Sequence, residues 1–189
     1  MKQALLSIVG RKGAGKSEVL GALIALLKEK GFRIGVMKHL AREDFEIDQP
    51  GKDTYRYRKQ GAEAVMLLGE KRRAIFSDLP FETNWEENLK YFEGFDLVFL
   101  EGYFLKRIPT VEVYKQELGG PLLTGMENAF AICSDTPTRI PAPHFSRGQL
   151  EQLAFLIQSK VLSWRGGEPG EAGAISRDCF AVQNHGGSP

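Results

Sequence analysis

A short segment near the N-terminus has the residue types and order of a phosphate-binding loop. Residues 10–17 fit the pattern G-x-x-x-x-G-K-[ST]. Glycines let such a loop curl so that successive backbone N–H groups point at phosphate oxygens, and the N-terminus of the following helix adds a favourable dipole. Lys16 can then reach the β- and γ-phosphates, while the Ser17 hydroxyl can ligate Mg²⁺. The pattern predicts that the chain binds a nucleoside triphosphate.

The segments on either side of this loop favour the same interpretation. Residues 4–9 form a short apolar run typical of a buried strand, and residues 18–30 have the pattern of a helix. A glycine-rich turn that matches by chance is the alternative, but a strand before and a helix after favour nucleotide binding. The residues predicted to hold the nucleotide here are Gly10, Lys12, Gly13, Ala14, Gly15, Lys16, Ser17 and Glu18.

A P-loop also needs a carboxylate on its Mg²⁺ side, and two acids flank the apolar run at residues 97–100. In open α/β sheets the ligand lies beyond the carboxyl ends of the strands. Glu101 stands at that end of the run, with Gly102 permitting a tight exit, whereas Asp96 stands at the opposite end. We therefore predict Glu101, together with Ser17, on the metal side of the site. A surface acid at a strand end is the alternative.

The polar segment at residues 38–53 is unusually long for a loop in a compact α/β protein, which suggests a function. Many P-loop proteins place here a switch that senses the γ-phosphate. Its acids include Asp48 and Asp53. A carboxylate at this place could orient the attacking water or contact Mg²⁺ through water. For any single acid, a solvated polar loop is the alternative.

Apolar runs alternate with amphipathic stretches along the chain, a pattern typical of a mostly parallel sheet with helices on both faces. A second strand is predicted at residues 33–37 and another at 129–133. The apolar runs on either side of Gly69, residues 64–68 and 74–76, predict an antiparallel hairpin added to this sheet.

Three helices complete the prediction, a short one at 54–60 with Thr54 as its cap, one at 85–92 and an amphipathic one at 148–163. We therefore predict a P-loop NTPase domain of three layers over residues 1–164. The segment 165–189 is rich in Gly, Ser and Pro without an apolar period, which predicts a disordered tail.

Composition excludes several classes of function. Lys and Arg number 25 and Asp and Glu 24 in 189 residues, a formal net charge of +1, which argues against a nucleic-acid partner bound by a broad basic face. Two cysteines are too few for a disulfide framework or a four-cysteine zinc site. The N-terminus lacks a signal-peptide layout, and no apolar run approaches the roughly 20 residues that cross a bilayer. We predict a cytoplasmic protein without a membrane partner.

Five segments in a fixed order resemble the molybdopterin-guanine dinucleotide biosynthesis protein B (MobB) family. They are residues 10–17, Lys38-His39, residues 48–56 followed by Gly61-Ala62, residues 100–103, and Ser134-Asp135. The P-loop is shared by very many families, whereas D-x-P-G-K-D-[ST] followed by Gly-Ala is far more specific. The resemblance covers residues 5–162.

The resemblance implies a P-loop NTPase fold that binds GTP and Mg²⁺, forms homodimers and has at most slow Mg²⁺-dependent GTPase activity. It also implies a role in assisting the guanylyltransferase protein A (MobA), which attaches GMP to molybdopterin. Lys16, Asp48 and Asp53 take the catalytic roles by resemblance, the two aspartates in a switch-like loop, and Glu101 lies on the Mg²⁺ side. Asp135 follows a late strand, where a carboxylate could accept the N1 and N2 hydrogens of guanine. A strand-end turn or a helix cap is an equal alternative for Asp135.

The chain also departs from the family. Further histidines often follow Lys-His, but residues 40–43 here are Leu-Ala-Arg-Glu, and the N-K-x-D guanine signature is absent. Arg11 sits where a related group of dimeric P-loop ATPases places a lysine that acts on the neighbouring subunit. We predict Arg11 and Lys12 as solvent-facing loop cations.

A P-loop small-molecule kinase using ATP or GTP is the alternative function, and an isolated GTPase is a third. Kinases of this size usually need an arginine-bearing lid that stabilises the charge of the transferring phosphate. Arginines after Glu101 are sparse and form no cluster in the sequence, which favours the accessory protein. They are Arg107, Arg139, Arg147, Arg165 and Arg177.

Overall fold

The computed structural model describes residues 3–40, 46, 48–77, 85–124 and 129–162. The predicted tail at 165–189 lies outside these residues. The chain divides into two compact units. The described residues of the first lie within 3–39 and 92–162, and those of the second within 40–91.

The helices and strands agree closely in position with most of the predicted ones. In chain order they are β1 (Ala4–Val9), α1 (Lys16–Glu29), β2 (Ile34–Lys38), α2 (Asp53–Lys59), β3 (Ala64–Leu68), β4 (Arg73–Ser77), β5 (Leu97–Glu101), β6 (Thr110–Val113), β7 (Ala129–Cys133), β8 (His144–Phe145) and α3 (Leu150–Ile157). Short 3₁₀ helices span Trp85–Phe92, Gln116–Leu118 and Arg147–Gln149, and a π-helical turn, Gln158–Leu162, continues α3.

The first unit is built on a six-stranded sheet in the order β2-β5-β1-β6-β7-β8. All of its strand pairs are parallel, so the carboxyl ends of the strands meet at one edge. Every residue of β5 and β7 is buried, as expected for strands covered on both faces. The residues that follow β1, β5, β6 and β7 are therefore gathered at the edge where α/β sheets bind ligands.

Helices cover both faces of this sheet. Leu23 and Leu27 of α1 are fully buried in one cluster with Leu153 and Ile157 of α3, because α1 and α3 pack side by side on one face. At β2, the ring of Phe92 lies where a Cβ on Gly35 would be, 2.4 Å away. The predicted three-layer arrangement is confirmed.

The second unit contains the predicted hairpin, with β3 and β4 paired antiparallel and Val65 opposite Phe76. The hairpin is a two-stranded sheet of its own, so the prediction that it adds to the main sheet was wrong. Local turn chemistry specifies a hairpin but carries no information about a third strand beside it. The cap of α2 was also misplaced, since Lys52 holds that position and Thr54 lies inside the first turn.

The strands β6 and β8 were not predicted. Thr110 and Glu112 interrupt the apolar character of β6, yet both are buried. The Glu112 carboxylate accepts hydrogen bonds from the backbone N–H groups of Leu123 and Thr124, each at 2.8 Å. Backbone N–H groups of the segment after β6 therefore supply hydrogen-bond donors to this buried carboxylate. Within the described residues, the helices are too short or too polar to cross a membrane.

Candidate functional site

The P-loop leaves the carboxyl end of β1 and curls into α1. Its backbone relies on glycine, because Gly10, Gly13 and Gly15 have φ angles of 148°, 83° and 87°, which other residues rarely adopt. Ala14 between them is buried. Gly15 directly precedes α1, so the loop ends at a helix N-terminus whose free N–H groups and dipole favour an anion.

Lys16 is the cation of this loop. Its Nζ donates hydrogen bonds to the carbonyl oxygens of Gly10 at 2.8 Å and Arg11 at 3.0 Å. In the described residues, the acceptors that hold the Lys16 amine at the loop are therefore neutral carbonyl oxygens. Phosphate oxygens are stronger acceptors for an ammonium group than carbonyls, so the loop can exchange these bonds for bonds to a ligand.

Glu101 lies beside Ser17, as the strand-end argument predicted. The Ser17 Oγ donates to Glu101 Oε1 at 3.1 Å, and Lys38 Nζ lies 3.3 Å from the same oxygen. The sheet register explains this assembly, because Glu101 is the partner of Ile8 in β1 and of Lys38 in β2. Glu101 is 7% exposed, so its charge lies in a poorly solvated place and Lys38 partly compensates it.

The chemistry of these donors suits Mg²⁺. A hydroxyl and a carboxylate oxygen are hard ligands, and Mg²⁺ in nucleotide sites takes only one or two protein ligands beside phosphate oxygens and water. In the described parts of the chain, no three His, Cys, Asp or Glu side chains come together as a metal cluster. A metal held jointly with a nucleotide fits this arrangement, because Ser17 and Glu101 supply two oxygens and leave the rest to the ligand.

Asp135 follows β7 and is joined to the P-loop through Arg147. Its Oδ1 accepts the backbone N–H of Arg147 at 3.0 Å, and its Oδ2 lies 3.2 Å from the Arg147 Nε. The same guanidinium donates to the carbonyl of Ala14 at 2.7 Å. In the sequence Arg147 belongs to no cluster of arginines. The position of Arg147 in the sequence does not indicate that its side chain contacts the P-loop.

A depression of about 290 Å³ lies beside this junction. Asp135, Thr136 and Arg147 line one part of it, and Tyr114 to Glu117, which follow β6, line another. It lies beyond the carboxyl ends of β6 and β7, the place where a ligand extending from the P-loop is expected.

Cys133, the last residue of β7, adds no reactive group to this site. Burial raises the pKa of its thiol to about 11, with the nearby Arg147 acting in the opposite direction. The thiolate is the reactive form of cysteine, so Cys133 stays protonated and inert near neutral pH.

The cations at positions 11 and 12 differ in environment. Lys12 is exposed, as predicted. Arg11 is only partly exposed, and its Nη2 donates to the carbonyl of Pro121 at 3.2 Å. Its guanidinium also lies where a Cβ on Gly120 would be. The prediction of a solvent-facing Arg11 was wrong, because the segment after β6 folds back over the loop and offers it a carbonyl.

The two aspartates of the predicted switch loop lie in the second unit. Asp48 Oδ1 accepts hydrogen bonds from the Thr54 hydroxyl at 2.8 Å and from the Gln49 N–H at 2.9 Å. Its Oδ2 is buried and has no hydrogen-bond partner within the described part of the chain. Asp53 is exposed and pairs with Arg56 at 3.4 Å. The structure thus gives Asp48 a fixed orientation and leaves Asp53 at the surface.

We expect Gly10→Ala to destabilise the fold by about 3 kcal/mol, because an added Cβ would combine backbone strain with a steric clash. That Cβ would lie 2.3 Å from the carbonyl oxygen of Val113, at a φ of +148°. Gly21→Ala in α1 is the matched control, since nothing lies within 4 Å of its Cβ position. The control should stabilise by roughly 1 kcal/mol. Urea unfolding of both variants measures the difference, and equal midpoints would contradict the described loop geometry.

The parallel sheet, the loop from β1 into α1 and the Ser17–Glu101 pair define a nucleotide-binding protein of the P-loop class. The chain belongs to the family described as molybdopterin guanine dinucleotide synthesis protein B (MobB), whose model matches residues 5–135.

Two relatives support this assignment over most of the chain. A molybdopterin-guanine dinucleotide biosynthesis adapter protein of Haemophilus influenzae is 29% identical over 164 residues, 86% of this chain and 92% of that protein. The protein of the same name from Escherichia coli is 28% identical over 161 residues, 81% of this chain and 90% of that protein.

Solved structures support the fold. The crystal structure of MobB from Bacillus subtilis covers 87% of this chain and 99% of its own, with a TM-score of 0.67 and 21% identity. A MobB homologue from Bacillus stearothermophilus covers 84% of this chain and 98% of its own, with a TM-score of 0.63 and 21% identity. The predicted fold class and the predicted family are both confirmed.

Proposed function

We propose that this chain is a GTP-binding adapter protein that assists the conversion of molybdopterin to molybdopterin guanine dinucleotide. The observation that carries the proposal is a P-loop with Lys16 in its curl and Ser17 bonded to Glu101, in a chain of this family. The names of the relatives from H. influenzae and E. coli supply the pathway. We place the protein in the cytoplasm, where GTP is available.

In this proposal the triphosphate is held by the loop from Gly10 to Glu18. The backbone N–H groups around Gly13 and Gly15 face the β-phosphate, and Lys16 exchanges its carbonyl partners for phosphate oxygens. Ser17 and Glu101 would hold Mg²⁺, which would supply positive charge to offset that of the phosphates. Lys38 could then give up its ion pair with Glu101, since half of its side chain is already exposed.

Guanine preference follows from Asp135 in this proposal. A carboxylate can accept the N1 and N2 hydrogens of guanine together, whereas adenine lacks donors at these positions. Asp135 lines the depression beyond β7, and its two bonds to Arg147 leave lone pairs on both oxygens. The depression therefore offers guanine a pair of acceptors at its edge.

Hydrolysis is slow in this proposal, and the adapter works through its nucleotide-bound form. Asp48 and Asp53 keep in this proposal the catalytic role that the family resemblance implies for the switch-like loop. Asp53, exposed beside Arg56, belongs to the same switch-like loop. We expect turnover below about 1 per second without a partner. Release of labelled phosphate from GTP measures it.

The guanylyltransferase protein A (MobA), or molybdopterin itself, is the partner in this proposal. Reconstitution tests it: molybdopterin guanine dinucleotide formation by protein A is followed at limiting GTP, with and without this chain. We expect the wild-type chain to accelerate product formation and Lys16→Ala to have no effect. Equal product formation with and without the wild-type chain would contradict the adapter function.

We also propose a homodimer formed through the hairpin of the second unit. Apolar side chains of β3 and β4 are exposed, namely Met66 at 55%, Leu67 at 50%, Leu68 at 78% and Ile75 at 36%. A small two-stranded sheet with such a surface is usually covered, and a second copy presents the same surface.

Sedimentation tests the dimer. The wild-type chain should be dimeric at micromolar concentration, and Leu68→Glu should be monomeric because it replaces an apolar side chain that is 78% exposed with a charge. Phe155→Glu is the control, since Phe155 is 64% exposed on α3 in the first unit. A monomeric wild type, or a dimer that survives Leu68→Glu unchanged, would contradict this interface.

A further inference from the structure

Arg147 joins three parts of the nucleotide site through one guanidinium group. Its Nη2 donates to the Ala14 carbonyl at 2.7 Å, its Nη1 to Glu18 Oε2 at 3.3 Å, and its Nε lies 3.2 Å from Asp135 Oδ2. The guanidinium also packs against Gly15, where a Cβ would lie only 2.4 Å from Nη1. The P-loop, the first turn of α1 and the end of β7 therefore share one cation.

The contacts with Asp135 fix the orientation of its carboxylate. The Arg147 backbone N–H binds Oδ1 and its side chain lies against Oδ2, so each oxygen has one partner from the same residue. A carboxylate has about four acceptor positions, so each oxygen keeps capacity for a ligand donor. The Asp135 side chain is 60% exposed, and without Arg147 it would be free to rotate in water.

The contact with Ala14 connects this carboxylate to the phosphate-binding loop. Ala14 lies between Gly13 and Gly15, the two glycines whose left-handed backbone shapes the curl. One side chain thus links the phosphate-binding loop directly to Asp135. Arginine suits this role because its planar fork presents several donors in fixed directions, whereas lysine supplies a single point charge.

We propose that Arg147 is a positioning residue for the purine base: it holds Asp135 at the correct place and angle, relative to the P-loop, to accept the donors of guanine. This inference rests on the proposed GTP-binding function. Arg147 acts through Asp135 and the loop, so its loss should reduce the discrimination between guanine and adenine more than it reduces phosphate binding.

The test compares three ligands on the full chain, Mg·GTP, Mg·ATP and Mg·tripolyphosphate, by isothermal titration. In Arg147→Gln we expect the ratio of GTP to ATP affinity to fall by about tenfold, the size of one lost charge-assisted contact. Tripolyphosphate affinity should stay within about twofold, because the phosphate ligands remain. Arg147→Lys should resemble Arg147→Gln, since it keeps the charge but not the fork. Arg139→Gln, an exposed arginine between β7 and β8, is the control and should match wild type.

A double-mutant cycle of Arg147→Gln with Asp135→Asn tests the coupling, and Asp135→Asn alone remains available if an Arg147 variant folds poorly. Asp135→Asn should lower the GTP to ATP ratio by itself, and adding Arg147→Gln should lower it little further, because both changes remove one interaction. Additive effects would overturn the proposal. So would equal losses for all three ligands in Arg147→Gln, which indicate a general support of the loop, and so would full rescue by lysine.

The wild-type data distinguish the positioning role of Arg147 from the proposed GTP-binding function on which it rests. If the wild-type chain binds tripolyphosphate and both nucleotides equally, base positioning by Arg147 is overturned while the P-loop assignment stands. If it binds none of the three, the proposed GTP-binding function fails, and this inference fails with it.

Discussion

Replacing Lys16 with alanine is expected to lower the affinity for Mg·GTP by about 100-fold, within the range for a hydrogen bond between charged groups. Within the described part of the chain, the Lys16 amine bonds to the carbonyls of Gly10 and Arg11, so its loss should alter the ligand-free fold little. Thermal unfolding measures both effects. GTP at about 100 times its dissociation constant should stabilise the wild-type chain by about 2.7 kcal/mol, and the same concentration should stabilise the variant far less.

Lys28→Ala is the matched control for charge. Lys28 is an exposed lysine in the last turn of α1, at the end of the helix opposite the P-loop. It should retain the full stabilisation by GTP. Stabilisation of Lys16→Ala equal to that of wild type would show that the triphosphate lies elsewhere.

Glu101→Gln is expected to raise the Mg²⁺ concentration needed for GTP binding by about tenfold or more. Glutamine can keep a hydrogen bond to Ser17 but lacks the negative charge that attracts the cation. Without Mg²⁺, the effect of Glu101→Gln on GTP binding should have the opposite sign. A buried carboxylate repels a metal-free triphosphate, so in EDTA the variant should bind GTP at least as tightly as wild type.

A titration of Mg²⁺ at fixed GTP, followed by the shift in unfolding temperature, measures this change. Glu93→Gln removes the same charge from an exposed position in the first unit and should leave the Mg²⁺ midpoint unchanged. An unchanged midpoint in Glu101→Gln would remove Glu101 from the metal side of the site.

The positions of the P-loop and of Glu101 could be predicted because they depend on a local pattern or on strand direction. The P-loop pattern lies within eight consecutive residues. Glu101 could be chosen over Asp96 because parallel strands end at one edge, and β1, β2 and β5 are parallel neighbours in register. A short-range pattern, and the rule that ligands bind beyond the carboxyl ends of parallel strands, are enough to predict both positions.

Strand β6 shows that a short-range pattern does not always predict whether a segment is buried. Its sequence Thr-Val-Glu-Val alternates polar and apolar residues, which favours a strand half exposed to water. All four residues are buried, because Glu112 finds its partners in the backbone at 123–124. The four residues of β6 do not indicate that a later segment of the chain donates hydrogen bonds to Glu112.

Arg147 was overlooked for the same physical reason. It is 133 residues from Ala14 along the chain, and its contact depends on the order in which β1, β6, β7 and β8 assemble. Arginines that lie near one another in sequence would indicate a cluster, whereas the fold brings the single Arg147 to the loop. Ser146 and Gln149 form a capping box that marks the start of the 3₁₀ helix Arg147–Gln149, which leads into α3 and contains Arg147.

Isothermal titration of the full chain with Mg·GTP and with Mg·ATP, under identical conditions, tests the central claim most directly. We predict one site per chain and an affinity for GTP at least about tenfold above that for ATP. Equal affinities would contradict a guanine-specific adapter and favour the small-molecule kinase. Absence of binding to either nucleotide would contradict the P-loop assignment itself.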